Sequence, residues 1–468
     1  MNREHYDLIV IGAGSAARDG GRRAMAEHGA RVALVEHTRW GGSCPNVACT
    51  PTKAYLVAAE LAHQINTLAP TIGIDAGPAR VDLERVRARK ESLKKPQPKW
   101  IEDLRADGFD TYAETASFVD AQTVRAGDAE LTAERILIAT GSRTAVPPIQ
   151  GIEDVDWLDH VSALELTELP ESLLVVGAGA VGLEFGQTFA RFGSQVTMVD
   201  ALDEIAPRSD PHSAMELRRA LEDEGIPIVL GSFVSRVAPR NGRHVATIVP
   251  REGGMEREVE FERLLLASGR RPNVEELNLE AAGVETYKLG IVVDERMRTN
   301  APGIWAAGDV NGQQPFTRVC QEEGKVVYAN AFEGQSLEID RTALPHAIFT
   351  DPEIGSVGLT EEAARGDGYD LAAGLVTFDR VEKAEIIGET AGFIKYVADR
   401  RTHRLLGCHV IGPAAADLVY DAVIVMRRRG TLDELASPSA SFPRSRKAWR
   451  APRAACSARS PRRRWRGH

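Results

Sequence analysis

Long apolar runs and an excess of positive charge are both missing from this sequence. No segment approaches the roughly 18 consecutive apolar residues of a membrane span. The net charge of −10 does not provide the basic surface that phosphate recognition requires. We therefore expect neither a membrane nor a nucleic acid as a partner. The first residues, Met1 to His5, lead directly into an apolar strand, so we also expect no signal peptide and a cytoplasmic location.

Cysteine is scarce as well, with five in 468 residues, and only Cys44 and Cys49 lie close together in the sequence. In the cytoplasm a disulfide is more often catalytic than structural. Cysteines at this spacing can meet across one and a half helical turns if the first turn opens. The alternatives are two buried thiols and a zinc site, which needs a second ligand pair. The other three cysteines are scattered: Cys320, Cys408 and Cys456.

The sequence does contain an α/β pattern with a nucleotide-binding fingerprint near its start. Tyr6 to Ile11 is an apolar run typical of a buried parallel strand, a helical stretch continues to His28, and Arg31 to Val35 predicts a second strand. Glycines let the backbone approach a pyrophosphate at a helix N-terminus, and an acid after the second strand accepts hydrogen bonds from a ribose. The fingerprint residues that predict this dinucleotide site are Gly12, Gly14, Ala17 and Glu36.

The same fingerprint returns later in the chain. Leu173 to Val176 and Val196 to Val199 predict its two strands, and two complete units predict two dinucleotides, such as FAD and a nicotinamide nucleotide. Because a carboxylate at Asp200 repels a 2′-phosphate, we expect NAD(H), with NADP(H) less favoured. Arg208, close by in sequence, could soften this preference. The fingerprint residues of the second unit are Gly177, Gly179, Gly182 and Asp200.

The stretch from Gly41 to Lys53, with the sequence GGSCPNVACTPTK, carries both neighbouring cysteines. It resembles the redox-disulfide motif of the flavin-dependent pyridine nucleotide-disulfide oxidoreductases, which include dihydrolipoamide dehydrogenase, glutathione reductase and mercuric reductase. Ser43 and Ala48 stand where the family pattern has threonine and glycine. The resemblance implies that Cys44 and Cys49 form the redox disulfide, that Cys49 faces the flavin and that Cys44 meets the substrate.

Other landmarks of the family follow along the chain. The resemblance implies that Lys53 pairs with Glu184 beside the flavin and that Asp309 binds the ribitol chain of FAD. The alternative interpretations are a solvated helix charge for Glu184 and a turn residue for Asp309. A positive Lys53 and a nearby helix N-terminus should lower the pKa of the attacking thiol. The remaining residues that the resemblance assigns to cofactor binding are Gly42, Ser43, Lys53, Thr140, Gly141, Gly269 and Gly308.

The implied fold is α/β, with two Rossmann-like dinucleotide-binding domains and a C-terminal α+β dimerisation domain. We predict an FAD-binding domain over residues 1–147, completed by 270–340, an NAD(P)-binding domain over 148–269 and a dimerisation domain over 341–436. A homodimer is expected if the C-terminus is intact.

Two further segments belong to this interpretation. The charged segment from Val81 to Leu104 predicts one helix. The segment from His346 to Glu353, with a later helix from Ala414 to Arg429, resembles the dimerisation domain of the family.

After Ala436 the character of the sequence changes. Residues 437–468 contain nine arginines, one lysine and no acid, without hydrophobic periodicity. The family has a His-Pro-Thr-x-x-Glu motif here, whose histidine protonates the leaving thiol, and mercuric reductases have a terminal Cys-Cys pair. Neither is present: Cys456 is single, and the only tail histidine is His468.

We suspect a frameshift in this region of the gene. Shifting the frame of the back-translated run from Phe442 to Trp449 permits Phe-Pro-Thr-Leu-Ser-Glu-Gly-Met, in which an aromatic residue replaces the motif histidine. The alternative is a genuine basic tail that is disordered and binds an acidic surface.

We therefore predict an enzyme, an FAD-dependent pyridine nucleotide-disulfide oxidoreductase of mercuric-reductase type. Hydride would pass from NADH through FAD to the Cys44–Cys49 disulfide and on to a small-molecule disulfide, a thiol-bound metal ion or a quinone. Thiolates bind a soft ion such as Hg(II) directly, so the missing motif histidine favours a metal acceptor over a disulfide, whose leaving thiol needs a proton. The alternatives are dihydrolipoamide dehydrogenase, a flavin-only diaphorase or quinone reductase, and a catalytically dead binding protein.

Overall fold

The computed structural model describes residues 2–436. They divide into two units. The first comprises the chain up to Ala201 together with Val229–Ile339, and the second comprises Leu202–Ile228 together with the residues from Asp340 on. The basic tail and the frameshift hypothesis lie outside the described residues, and the predicted domain boundaries stay a prediction. Among residues 2–436, none of the helices combines the length and the apolar composition that a membrane crossing requires.

The first nucleotide fingerprint lies in a five-stranded parallel sheet. Its strands Leu8–Ile11 and Val32–Val35 are apolar and buried at every position, which is the pattern of strands covered on both faces. Helix Ser15–His28 connects them and ends at Gly29 in the left-handed conformation, with φ 63°. The order across the sheet is Ile304–Ala306, Ile136–Ile138, Leu8–Ile11, Val32–Val35 and Asp110–Tyr112.

A second sheet repeats this arrangement around the second fingerprint. Strand Ser172–Val176 is buried throughout and pairs in parallel with Gln195–Val199, and helix Ala180–Phe192 connects the two. The two predicted Rossmann-like sheets are therefore confirmed. The order across this sheet is Trp157–Leu158, Arg263–Leu266, Ser172–Val176, Gln195–Val199 and Ile228–Val229.

The helix predicted over Val81 to Leu104 is wrong in one respect, because the chain forms two helices there, Leu83–Ser92 and Gln97–Ala106. Pro96 separates them, since proline has no amide hydrogen and disfavours helical geometry in the residue before it. The other helices of this unit are Ser43–Asn46, Cys49–Thr71 and Thr317–Phe332. The short 3-10 helices are Ile152–Asp154, Ser162–Glu165, Glu275–Leu277, Leu279–Ala282 and Asp309–Asn311.

Smaller sheets complete the first unit. The four-stranded sheet contains Asn2–His5, Ala129–Thr132, Thr123–Ala126 and Ala116–Asp120. A three-stranded antiparallel sheet contains Ser232–Arg240, Arg243–Pro250 and Arg257–Phe261. Two-stranded antiparallel pairs are formed by Ser142–Thr144 with Arg270–Pro272 and by Thr286–Tyr287 with Gly290–Ile291.

The second unit is built on a five-stranded antiparallel sheet, which confirms the predicted α+β class. Strands Phe393–Asp399 and Leu405–Gly412 are buried at every position, and helix Ala415–Arg427 packs on the sheet through Leu418 and Ala422. The order is His346–Ile348, Glu353–Gly358, Leu405–Gly412, Phe393–Asp399 and Leu371–Thr377. The other helical elements are Pro211–Asp223, Glu361–Gly366, Phe378–Arg380, Glu382–Ile387 and Leu432–Ala436.

A buried lysine organises the polar contacts of the second unit. The Lys395 ammonium group donates to Asp210 Oδ2 and His212 Nδ1, both at 2.8 Å, and lies 2.9 Å from Glu361 Oε1. Asp210 and Lys395 are 1% and 3% exposed. Two carboxylates therefore compensate a positive charge that would be costly to bury alone.

Candidate active site

The cysteine-bearing stretch opens between two helices. Ser43–Asn46 forms one helical turn, the chain leaves helical geometry for two residues, and Cys49 begins the long helix Cys49–Thr71. The spacing of the cysteines required such an opened turn. Asn46 holds it in place, because its buried side-chain amide donates to the carbonyl oxygens of Trp40 and Gly42 at 2.9 and 2.7 Å.

Two glycines bring this stretch against its neighbours. Gly42 has φ 79°, and a Cβ atom there would lie 2.5 Å from the Gly14 Cα, so the cysteine loop touches the first nucleotide turn backbone to backbone. Gly41 has φ 90°, and its Cβ would lie 2.5 Å from the ring of Trp100. Both positions therefore need glycine for the conformation and for the close contact.

Cys44 and Cys49 are half-buried free thiols. A hydrogen bond from Cys49 is the largest influence on Cys44 and, with help from Thr317 and against the effect of burial, lowers the pKa of Cys44 to about 6. The same bond, together with burial, raises the pKa of Cys49. Since two such coupled groups titrate as a pair, the pair holds one thiolate and one proton at neutral pH.

Thr317 was not predicted from the sequence. It begins helix Thr317–Phe332, and its hydroxyl lies 3.5 Å from the Cys49 Sγ. No motif around Thr317 signalled this contact, which arises from the packing of distant segments.

Lys53 and Glu184 meet beside the thiol pair. Lys53 follows Cys49 by one helical turn, and its Nζ lies 2.7 Å from Glu184 Oε2 and 2.9 Å from Oε1. Glu184 is only 6% exposed, so the alternative interpretation of a solvated helix charge is wrong. Lys53 also lowers the pKa of Cys44, but it is a smaller cause than the hydrogen bonds from Cys49 and Thr317.

A cavity of about 560 Å³ runs along the first nucleotide turn. Glu36 lines this cavity. Its Oε2 accepts a hydrogen bond from the Ala13 amide at 3.2 Å, and its Oε1 accepts one from the Thr38 amide at 2.8 Å. A side chain at Gly12, where φ is 101°, would collide with the Ala139 carbonyl oxygen. A glycine floor, a helix N-terminus and an acid fit a dinucleotide such as FAD. The predicted cofactor residues that line the cavity are Gly12, Gly14, Glu36, Gly42, Ser43, Thr140 and Gly141.

Ala17 and Asp309 are not among the lining residues. Ala17 is fully buried beneath the turn. Asp309 follows Gly308, which has φ 83°, and is connected to the cavity through two residues that line it. Its Oδ2 accepts from Ser142 Oγ at 2.6 Å and lies 3.4 Å from Arg270 Nε. Ser142 and Arg270 were missed as site residues, although each directly follows a predicted glycine of the site.

His160 also lines this cavity and was missed by the sequence analysis. Burial and the nearby charge of Arg270 lower its pKa to about 4. The imidazole is therefore neutral at physiological pH, and its Nδ1 lies 3.4 Å from the Thr144 hydroxyl. No spacing or motif around His160 indicates that it lines this cavity.

The second fingerprint has the same backbone design as the first. The Ala178 amide donates to Asp200 Oδ2 at 2.6 Å, as the Ala13 amide donates to Glu36. A side chain at Gly177 would collide with the Ala267 carbonyl oxygen, and one at Gly182 with the Gly177 carbonyl oxygen. Gly179 and Gly269 face open space. The turn is therefore packed tightly on the sheet side and open where a nucleotide would approach.

The zinc alternative for the cysteines gains no support from the geometry. Within the described residues, three atoms that could ligate a metal converge at Glu27, His28 and Glu333, all of them exposed, and this group includes neither Cys44 nor Cys49.

Two family models match the chain. The pyridine nucleotide-disulphide oxidoreductase model covers residues 6–324, and the dimerisation-domain model of the same family covers residues 344–452. The second match continues beyond Ala436, where the character of the sequence changes.

Curated relatives and solved structures agree with these matches. The chain is 35% identical to a mercuric reductase of Lysinibacillus sphaericus over 94% of its own length and 81% of that protein. It is 37% identical to a dihydrolipoyl dehydrogenase of Thermus scotoductus over 92% and 93%. The HOCl-induced flavoprotein disulfide reductase RclA from Escherichia coli, also solved as a Cu(II) complex, superposes with a TM-score of 0.83 at 28% identity; in the Cu(II) complex 96% and 98% of the two chains are covered.

Proposed function

Because this chain belongs to the pyridine nucleotide-disulphide oxidoreductase family, we propose that Cys44 and Cys49 form its exchangeable disulfide. The enzyme is an FAD-dependent NAD(P)H:disulfide oxidoreductase, and its flavin supplies two-electron exchange between the nicotinamide and the sulfur atoms. The residues proposed to bind FAD are Gly12, Gly14, Ala17, Glu36, Gly42, Ser43, Lys53, Thr140, Gly141, Gly308 and Asp309. Those proposed to bind the nicotinamide nucleotide are Gly177, Gly179, Gly182, Asp200 and Gly269.

The observation that carries this proposal is the unequal character of the two thiols. Breaking an S–S bond with two electrons and one proton gives one thiolate and one thiol, and the pair suits that product. Cys49 retains the proton and donates it in a hydrogen bond to Cys44, whose lowered pKa of about 6 makes it the thiolate at neutral pH. Since the thiolate is the nucleophile and the metal ligand, we assign substrate exchange to Cys44 and the flavin side to Cys49.

We propose that Lys53 and Glu184 support this pair as a unit. Their contact of 2.7 Å joins the cysteine helix to helix Ala180–Phe192, which starts at the second fingerprint. The ion pair therefore keeps the first turn of the cysteine helix in a fixed position relative to that fingerprint.

The proposed electron donor is NADH. The Asp200 carboxylate is held by the Ala178 amide at the strand end where a nucleotide ribose would lie, and there it favours a free 2′-hydroxyl over a 2′-phosphate. Comparison of kcat/KM for NADH and NADPH tests this choice. An Asp200→Asn variant should narrow the difference, whereas a preference for NADPH in the unaltered enzyme would contradict the proposal.

The proposed acceptor is a soft metal ion held by thiolates. A thiolate can capture such an ion without an acid-base residue, and mercuric reductases are among the relatives. The RclA structure with Cu(II) belongs to a protein of similar fold. A lipoyl-type disulfide is the second candidate, supported by the 37% identity to a dihydrolipoyl dehydrogenase. A cytoplasmic location suits either acceptor, because a pair that must cycle needs a reducing compartment.

Anaerobic titration with NADH, followed by visible spectroscopy, tests the redox role of the cysteines. We expect a long-wavelength absorption band after two electrons have entered, because oxidised flavin beside Cys49 should draw negative charge to that sulfur while the single proton of the pair moves to Cys44. The band should be absent in Cys49→Ser. Direct bleaching of the flavin without this band would contradict the proposal and favour the flavin-only quinone reductase.

The acceptor is tested with the same preparations. NADH oxidation should be stimulated by Hg(II) in the presence of excess thiol, and Cys44→Ser should abolish this stimulation while quinone reduction continues. Stimulation by a lipoamide-type disulfide alone would favour the second candidate.

A further inference from the structure

Arg18 is a half-buried cation on helix Ser15–His28 that the nucleotide fingerprint does not explain. Its Nε donates to the Gly14 carbonyl oxygen at 3.4 Å, and its guanidinium lies 4.9 Å above the ring of Trp100. We propose that Arg18 is a positioning residue of the thiol pair, whose fixed positive charge holds negative charge on the Cys44 sulfur. This inference rests on the proposed redox role of Cys44 and Cys49.

The two groups that hold Arg18 are the two groups that the cysteine stretch touches. Gly14 lies against Gly42, and Trp100 lies against Gly41. Cys44 follows Gly42 by two residues and lies in the first turn that this contact positions. The guanidinium is therefore fixed next to the start of the cysteine stretch by a hydrogen bond and by a cation–π contact.

Arg18 differs from Lys53 in how its charge is compensated. Lys53 Nζ contacts both carboxylate oxygens of Glu184, so much of its field is cancelled a short distance away. Within residues 2–436, Arg18 forms no salt bridge with a carboxylate. Because its charge is less compensated, Arg18 can add to the effect that Lys53 has on a thiolate at Cys44.

The electrostatic influence runs in both directions between Arg18 and Cys44. Burial and Arg22 lower the pKa of Arg18, while Asp19 and Cys44 raise it. Arg18 in turn lowers the pKa of Cys44, after the effects of Cys49, Thr317 and Lys53. An arginine keeps its charge throughout the physiological range, so its effect does not vary with pH. The neighbouring groups that titrate or carry charge are Cys49, Lys53, Glu184, Asp19, Arg22 and, on the ring of Trp100, Lys95.

The consequence for the enzyme is a wider pH range of activity. A cation that favours the Cys44 thiolate allows metal capture or disulfide exchange to continue at mildly acidic pH, where an ordinary thiol is protonated.

The test measures the pH profile of Cys44 alkylation in the FAD-loaded protein. The pair is reduced with a phosphine and treated with iodoacetamide across a pH series, and the labelled Cys44 peptide is quantified by mass spectrometry. Three variants are compared with the unaltered chain. Arg18→Gln keeps a donor of similar reach but removes the charge, Arg18→Lys keeps the charge, and Arg23→Met removes a charge from an exposed position of the same helix.

We expect Arg18→Gln to shift the midpoint upward by about half a pH unit, which is roughly a threefold slower alkylation below the midpoint. Arg18→Lys should keep the midpoint close to that of the unaltered chain, and Arg23→Met should leave it unchanged. An unchanged midpoint in Arg18→Gln overturns the proposal, as does an equal shift in Arg18→Gln and Arg18→Lys, which would mark a structural role. If Arg18→Gln fails to retain FAD, Arg18→Met and Arg18→Lys are compared in the same way and judged by the same criterion.

The same experiment is independent of the proposed acceptor. Alkylation of a chemically reduced pair requires neither NADH nor turnover, so its result judges Arg18 alone. The NADH titration tests the redox role of the cysteines. A negative result for Arg18 can therefore be told apart from a negative result for the redox role.

Discussion

Cys44 and Cys49 share one proton. The hydroxyl of Thr317 and the positive charges of Lys53 and Arg18 also act on this pair. The hydrogen bond from Cys49 acts most strongly on Cys44, and Thr317, Lys53 and Arg18 follow in that order. A charge-assisted hydrogen bond is short-ranged and strong, whereas the cations act from a distance through a medium that screens them. The acidity of Cys44 therefore depends first on its partner sulfur.

Replacing Cys49 by alanine should raise the pKa of Cys44 from about 6 towards the ordinary thiol value of about 8.5. Iodoacetamide reacts with the thiolate form, and at pH 7 Cys44 should be mostly thiolate in the unaltered chain and mostly thiol in the Cys49→Ala variant. Alkylation of Cys44 at pH 7 should slow by roughly tenfold, as a pH series with mass spectrometry would measure.

The control for this prediction is Cys408→Ala. Cys408 is fully buried in the second unit, so its removal should leave the Cys44 profile unchanged. A midpoint that stays near its original value in Cys49→Ala would assign the acidity of Cys44 to the cations instead.

Among the contacts between elements, the close contact between the cysteine loop and the first nucleotide turn determines the shape of the cavity that fits FAD. The contact joins Gly42 to Gly14 without intervening side chains, and both residues line the cavity that fits FAD. Any side chain at this crossing would force the two elements apart and alter the cavity that they form together.

A Gly42→Ala variant should therefore lose most of its bound FAD. Its Cβ would lie 2.5 Å from the Gly14 Cα, a separation that backbone atoms cannot accommodate without moving. The ratio of flavin to protein absorbance in the purified variant measures the effect. Gly29→Ala is the matched control, because Gly29 also has positive φ, at 63°, but has open space around it; it should cost about 1 kcal/mol of stability and retain FAD. Full FAD loading in Gly42→Ala would contradict this account.

Elements with strong local signals were predicted well from the sequence. The first fingerprint helix ends at His28 as expected, because its boundaries depend on glycines that act locally. Thr317, Arg18 and His160 could not be assigned in this way. Each reaches the site through packing between segments distant in sequence, and neither periodicity nor spacing encodes such contacts.

For the molecule as a whole, the predicted fold class and family are confirmed. Leu202–Ile228 follows the second fingerprint in the sequence. In the structure it groups with the residues from Asp340 on. A sequence pattern identifies a helix such as Pro211–Asp223 but does not say which sheet the helix joins.

The sequence of the gene's 3′ end tests the frameshift hypothesis for the tail. Restoring the alternative frame should yield a stable dimer of about twice the mass of a single chain in analytical ultracentrifugation, because the chain carries the dimerisation domain of its family from residue 344 on. A gene whose codons reproduce the given tail, with no indel nearby, would end this hypothesis.

The Lys395 cluster explains how the segment that includes Asp210 is retained in the second unit. Burial alone would raise the pKa of Asp210, but the hydrogen bond from Lys395 and the charge of His409 lower it overall. Lys395 also lowers the pKa of Glu361 against the effect of burial. Carboxylates with a lowered pKa contribute stability above their unfolded pKa, and this contribution is lost as the pH falls through the folded pKa. The cluster should therefore stabilise the second unit at neutral pH and lose its effect in acid.

A Lys395→Met variant leaves two carboxylates without their buried cation and should lower the stability of the second unit by about 3–5 kcal/mol at neutral pH. The difference in thermal unfolding from the unaltered chain should narrow below about pH 4, where the carboxylates become protonated. Lys383→Met, on the half-exposed helix Glu382–Ile387, makes the same chemical change and should cost about 0.5 kcal/mol or less. If Lys395→Met unfolded like Lys383→Met, the ion cluster would not hold the Asp210 segment, and the apolar contacts of helix Pro211–Asp223 through Ala214, Leu217 and Leu221 would have to do so instead.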